Sequence, residues 1–97
     1  MKLSKAQQRV IDYAKADIDF ARTHTIREWA IKGEGLISEE NIAYKIENYG
    51  KYYERQKNAI CLTTANTKTL EALRDMGLIE IIRVGGSFPD TIKILNY

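Results

Sequence analysis

Residues 62–95, LTTANTKTLEALRDMGLIEIIRVGGSFPDTIKIL, decide the fold. Thr63, Thr64 and Asn66 offer side-chain oxygens to backbone N–H groups that have no intrahelical partner, so a helix is expected to begin there. Leu70, Leu73 and Met76 follow at i, i+3 and i+6 and give it one apolar stripe. Gly77 stands where a left-handed residue commonly ends a helix, and Leu78 just beyond it is placed to pack back on the last turn. The helix is therefore predicted to stop at about Met76. Two β-prone runs come next, residues 79–84 and 91–95. Between them GGSFPD supplies two glycines and Pro89, which provide turn geometry and suppress further pairing. The stretch reads as a helix running straight into a β-hairpin.

Working outward, the length and composition set limits. A chain of 97 residues is expected to form one domain, 1–97, and at that size buries only about 60–65% of the surface its unfolded chain exposes. Hydrophobic content of 44%, charged content of 29% and a single proline argue against disorder and low complexity. The net charge of +2 is compatible with a nucleic-acid partner and argues against an acidic DNA mimic. Cys61 is the only cysteine, so there is neither a disulfide framework nor a zinc set, and its apolar surroundings predict a buried structural thiol. No signal-peptide pattern opens the sequence, and no apolar run approaches the roughly 18 residues of a membrane span. The expectation is a cytoplasmic protein with no membrane partner.

Upstream, Ser4 stands three residues before Gln7, the spacing of a capping box, so a helix should start at Lys5. Val10, Ile11, Ala14, Ile18 and Ala21 then recur at helical spacing, with Asp12 placed to pair with Arg9 or Lys15 on the other side. Thr23, His24 and Thr25 interrupt that pattern, and residues 26–31 read either as a further helical turn or as an irregular connection. His24 with Asp17 and Asp19 is a poor metal set, because on a helix the two aspartates point about 200° apart. Trp29 reads as a core anchor in preference to an exposed stacking platform. Lys32-Gly33-Glu34-Gly35 ends whatever precedes it. Ser38, followed by Glu39 and Glu40, opens a second clear helix in which Ile42, Ile46, Tyr49 and Tyr53 form the apolar stripe, with a kink or break allowed at Gly50. Residues 58–62 read as a short strand able to join the hairpin as a third.

Helix, Gly-Leu-Ile, strand, glycine-bearing loop, strand is the order in which a winged helix-turn-helix domain ends. The segment TKTLEALRDMGLIEI resembles a recognition helix entering the wing of that superfamily, with residues 84–90 as the wing tip, and the resemblance covers the C-terminal third. It implies an α+β fold, with two to four helices packed on a small antiparallel β-sheet and a C-terminal wing hairpin. The early position of a first strand in the simplest winged helix is not matched here, since the candidate strand at 58–62 follows the second clear helix.

On that resemblance the chain is expected to be a small non-enzymatic regulator that binds duplex DNA, as a monomer or a homodimer, through the helix at 64–76 and the wing at 84–90. Thr64, Asn66, Thr67 and Lys68 would bring hydroxyl, amide and ammonium donors to the positive end of the helix dipole. Arg74, Arg83, Ser87 and Lys93 would reach backbone or minor groove. The tyrosine-rich helix would add Lys45, Lys51 and Arg55. Against this, residues 60–97 hold four cations, Lys68, Arg74, Arg83 and Lys93, and four anions, Glu71, Asp75, Glu80 and Asp90, whereas phosphate neutralisation supplies most sequence-independent affinity. A second reading is a winged-helix protein-interaction module anchored by Phe88, Tyr44, Tyr52 and Tyr53, of the kind a phage carries to inhibit a host defence or nucleic-acid enzyme. No phosphate loop, catalytic triad or metal-ligand spacing is present, so no catalytic residue, metal or cofactor is expected.

Overall fold

A computed structural model describes residues 2–61, 66–82 and 91–97. Helix α1, Lys5–Thr23, opens with a complete capping box: the Gln7 N–H donates to Ser4 Oγ at 3.2 Å, and the Ser4 N–H donates to Gln7 Oε1 at 2.9 Å. Two donors that a helix start leaves unpaired are thereby satisfied. Ile11, Ala14, Ile18 and Ala21, at alternating spacings of three and four, are its buried face. Asp12 makes no ion pair among those described; it accepts instead from Gln8 Nε2 at 2.8 Å.

The Thr23-His24-Thr25 interruption is the joint between two helices. Helix α2, Ile26–Ile31, has its own capping box, in which the Glu28 N–H donates to Thr25 Oγ1 and the Thr25 N–H to Glu28 Oε1. Thr25 and Glu28 thus resolve residues 26–31 as helix. Gly33, at φ 77°, turns the chain after α2. Helix α3, Glu39–Gln56, begins where Ser38 Oγ accepts from the Asn41 N–H at 3.2 Å. It runs through Gly50 unbroken, and the missing side chain has a packing reason: a Cβ there would lie 3.2 Å from Ile26 Cδ1 of α2. No described helix is long and apolar enough to cross a membrane.

Strand β1, Ala59–Cys61, precedes helix α4, Thr67–Asp75, and strands β2, Ile79–Ile82, and β3, Thr91–Ile94, follow. Helix α4 ends as its sequence requires. Gly77, at φ 77°, donates to the Arg74 carbonyl at 2.9 Å while the Leu78 N–H donates to the Leu73 carbonyl at 3.1 Å. These are the paired bonds of a Schellman turn, and Leu78 packs on the core beside it. The sheet is antiparallel in the order β1-β3-β2, with Ile92 between Ile60 and Ile81, and Lys93 between Ala59 and Glu80.

Among the described residues the fold is α+β, four helices with a three-stranded antiparallel sheet, as expected in its class. One sheet face packs on α1 and α4: Ile60, Ile79, Ile92 and Ile94 meet Ile11, Ala14 and Ile18 of α1 and Leu70 and Leu73 of α4. Toward the C-terminal end of α1, Ala21, Ala30, Ile42 and Tyr53 bury the contact among α1, α2 and α3. Trp29 stands at this junction, donating from Nε1 to Gln56 Oε1 at 3.0 Å, while Gln56 Nε2 donates to the Asp17 carbonyl at 2.8 Å. Cys61 is a correction: alternation along β1 buries Ile60 and turns Cys61 to the other sheet face, where it is exposed.

Candidate nucleic-acid interface

Helix α4 is fixed by the burial of Leu70 and Leu73, so its first turn is presented from a rigid base. Asn66 is the N-cap, with Oδ1 accepting from the Lys68 N–H at 2.8 Å, and Asn66, Thr67 and Lys68 are all exposed. This is where phosphate or base edges would meet backbone donors and the positive end of the dipole. The remainder of the outer face is less favourable. Asp75 follows Lys68 by seven residues on the same side, and the Arg74 guanidinium lies 3.4 Å from the Asp75 carboxylate, which draws off its charge. Lys93 does not join this end. Ile92 and Ile94 point into the core, so Lys93 projects from the opposite sheet face, across the strand from Glu80.

A second group forms on α3. Tyr44 is 59% exposed, Tyr49 43% and Tyr52 38%. Their rings are in mutual contact: Tyr44 meets Tyr49 edge-on at 6.4 Å between centroids, and Tyr49 stacks on Tyr52 at 6.0 Å with 28° between planes. Lys51 Nζ and Arg55 Cζ lie 5.2 and 5.1 Å from the Tyr52 ring centre. Among the described ion pairs neither cation has a carboxylate partner. Tyr49 is the residue that periodicity misassigned to the buried stripe; its place three residues before Tyr52 was the available signal.

Two residues expected at the interface serve the fold instead. Tyr53 is only 7% exposed, and its O–H donates to the His24 carbonyl at 2.6 Å. The ring is an inter-helix plug and offers no docking face. Lys45 Nζ donates to the Ala30 carbonyl at 3.1 Å and to Glu34 Oε1 at 2.6 Å, tying α3 to the end of α2 and the loop beyond it. Thr64, Arg83, Ser87 and Phe88, and with them the wing at 84–90, lie outside the described residues. His24 packs its ring on Phe20 at 3.9 Å, and no group of three or more potential metal ligands occurs among the described residues.

The exposed Glu39 carboxylate is held by a local ion pair. Glu39 sits below the usual carboxylate range because the Arg27 guanidinium hydrogen-bonds it at 2.5 and 2.8 Å, and the same contact raises Arg27. No protein-family model, curated protein or solved structure matches the chain. Geometry and charge must carry the functional reading.

Proposed function

We propose that this chain is a small non-enzymatic DNA-binding regulator of winged-helix type, acting in the cytoplasm, that meets duplex DNA with the first turn of α4. The observation that supports this best is the coupling of α4 to the sheet. The helix leads through a Schellman turn into β2, and β2 and β1 flank β3 in the order β1-β3-β2. That layout is compatible with the resemblance carried by TKTLEALRDMGLIEI. It departs in one respect: β1 comes after α3, five residues ahead of α4, so the buttress for α4 is α1. The exposed Asn66, Thr67 and Lys68 supply the donors, and residues 84–90 would supply the wing.

The test is titration of a mixed duplex of roughly 30 base pairs across a salt series. Affinity should fall as salt rises, and Lys68→Glu should weaken binding and flatten the log–log slope by about one for each phosphate left without its cation. Absence of binding at about 50 mM salt, or a Lys68→Glu protein that binds as the parent does, rejects docking through α4.

A further inference from the structure

The outer strip of α3 is only partly covered by the rest of the chain. Tyr53, on the inner side of the same helix, is buried and hydrogen-bonded, whereas Tyr44, Tyr49 and Tyr52 spend their aromatic surface on one another and on solvent. We propose that this strip, Tyr44, Tyr49 and Tyr52 with Lys51 and Arg55, is a stacking platform for single-stranded DNA.

Three observations favour an unpaired polynucleotide. The first is charge. Glu34, Glu39 and Glu54 are occupied by Lys45, Arg27 and Lys57 respectively, while Lys51 and Arg55 lie over Tyr52 without a carboxylate partner among the described ion pairs. Glu40, Glu47 and Glu54 recur every seven residues, and at about 100° per residue they form an edge that lies opposite Tyr49 and borders Tyr44 and Lys51. Lys51 and Arg55 stand between that acidic edge and Tyr52, so the charges over the Tyr52 ring are the two cations. The second is geometry. Eight residues separate Tyr44 from Tyr52, about 12 Å along the axis, which accommodates a short run of bases against three rings. Because the rings already rest on each other, little side-chain freedom remains to be lost on binding. The third is composition. Lysine is depleted at the core of protein interfaces, whereas a lysine and an arginine beside tyrosines suit phosphates flanking stacked bases. In a duplex the base faces are covered, so stacking requires an unpaired strand. The choice of DNA over RNA rests on the α4 reading above.

The experiment uses the full chain and fluorescently labelled dT12, rU12 and a 12-base-pair duplex, followed by anisotropy at about 50 and 200 mM salt. Binding of dT12 should weaken with salt, Tyr44→Ala and Tyr52→Ala should each weaken it about ten-fold, and Tyr44→Phe should keep it, since stacking needs the ring and not the hydroxyl. Lys51→Glu with Arg55→Glu should flatten the single-strand salt slope by about 1.4, while Arg9→Glu, an equal charge change per site on α1, leaves dT12 affinity within about two-fold at the higher salt. All substituted side chains are exposed, and the fold of each variant is to be checked by circular dichroism. The proposal is overturned if dT12 is not bound at the lower salt, if the Tyr44→Ala/Tyr52→Ala double variant binds like the parent, or if rU12 binds more than ten-fold tighter than dT12. The duplex arm keeps the two readings apart. Duplex binding without dT12 binding removes the platform and spares α4; dT12 binding without duplex binding removes the α4 reading and leaves the platform standing.

Discussion

At Gly77 and Thr25 a single residue settles where a helix ends or begins. Gly77 holds φ at 77°, and no neighbouring atom lies within 4 Å of where a Cβ would be, so an added methyl meets no clash and the penalty is conformational. Gly77→Ala should therefore destabilise the chain by about 1–2 kcal/mol in urea unfolding. Gly77→Asn should recover part of that loss, because asparagine tolerates the left-handed region. Thr25 acts at the other kind of terminus. Helix α2 has only six residues and relies on its cap, so Thr25→Ala should lower stability by about 1 kcal/mol, measured the same way. The same box has a pH signature. Hydrogen bonds from the Thr25 N–H and hydroxyl hold the Glu28 carboxyl below its ordinary value. A carboxyl depressed in the folded state contributes stability above its unfolded value, and that contribution is lost as pH falls through the folded one. Below the ordinary carboxylate range, stability should consequently drop less steeply for Glu28→Gln than for the parent in acid unfolding curves.

At the scale of elements, helix α3 shows what could be read from sequence and what could not. Ser38 and the acidic first turn mark its start, and the buried positions Ile42 and Tyr53 fall on the anticipated stripe. Its continuity through Gly50 was not legible, because the close approach of Ile26 is a contact between elements that no local pattern reports. Tyr49 likewise lies at the edge of the buried arc, and two exposed tyrosine neighbours draw its ring outward. Helix α2 was ambiguous for a different reason: six residues are too few for periodicity to register, although Thr25 and Glu28 carried the capping-box spacing. The end of α4 was legible in full, since Gly77 and Leu78 encode a local motif. Of the candidate site, residue types were legible and partners were not, so Lys45 passed for a surface group and Tyr53, although on the apolar stripe, was also read as a docking anchor. Gln56 gives the element-scale prediction. It accepts from the Trp29 indole and donates to the Asp17 carbonyl, linking three helices. Gln56→Ala strands a part-buried donor and an acceptor, at an expected penalty of about 1–3 kcal/mol in urea unfolding. A shifted tryptophan emission in the folded variant would report that the indole has no partner.

Across the whole molecule, the two ends of the described structure are joined by Arg22 and Tyr97. Arg22, near the end of α1, donates from Nε to the Lys57 carbonyl at 2.6 Å and from Nη2 to the Tyr97 carbonyl at 3.1 Å. One side chain thus fastens α1 both to the approach to β1 and to the residues after β3. Asn96, at φ 61°, turns the chain there, and the Tyr97 hydroxyl donates to Asp19 while Lys15 and Arg22 lie over its ring. The bond to the Asp19 carboxylate raises the Tyr97 phenol above its ordinary value, since the neutral hydroxyl is the form that donates and the nearby negative charge opposes ionisation. A group raised on folding contributes stability below its unfolded value and loses that contribution as pH rises through the folded one. The stability of the parent should therefore decline in the alkaline range where tyrosine ionises, and Tyr97→Phe, which has no proton to lose, should decline less. Urea midpoints taken between about pH 8 and pH 11, bracketing the ordinary tyrosine value near 10, measure the difference. Identical slopes for the two proteins would mean that the Tyr97–Asp19 bond does not form in solution. Arg22→Ala, by contrast, should lower stability across the whole range, because its bonds to the two carbonyls do not depend on the ionisation of Tyr97.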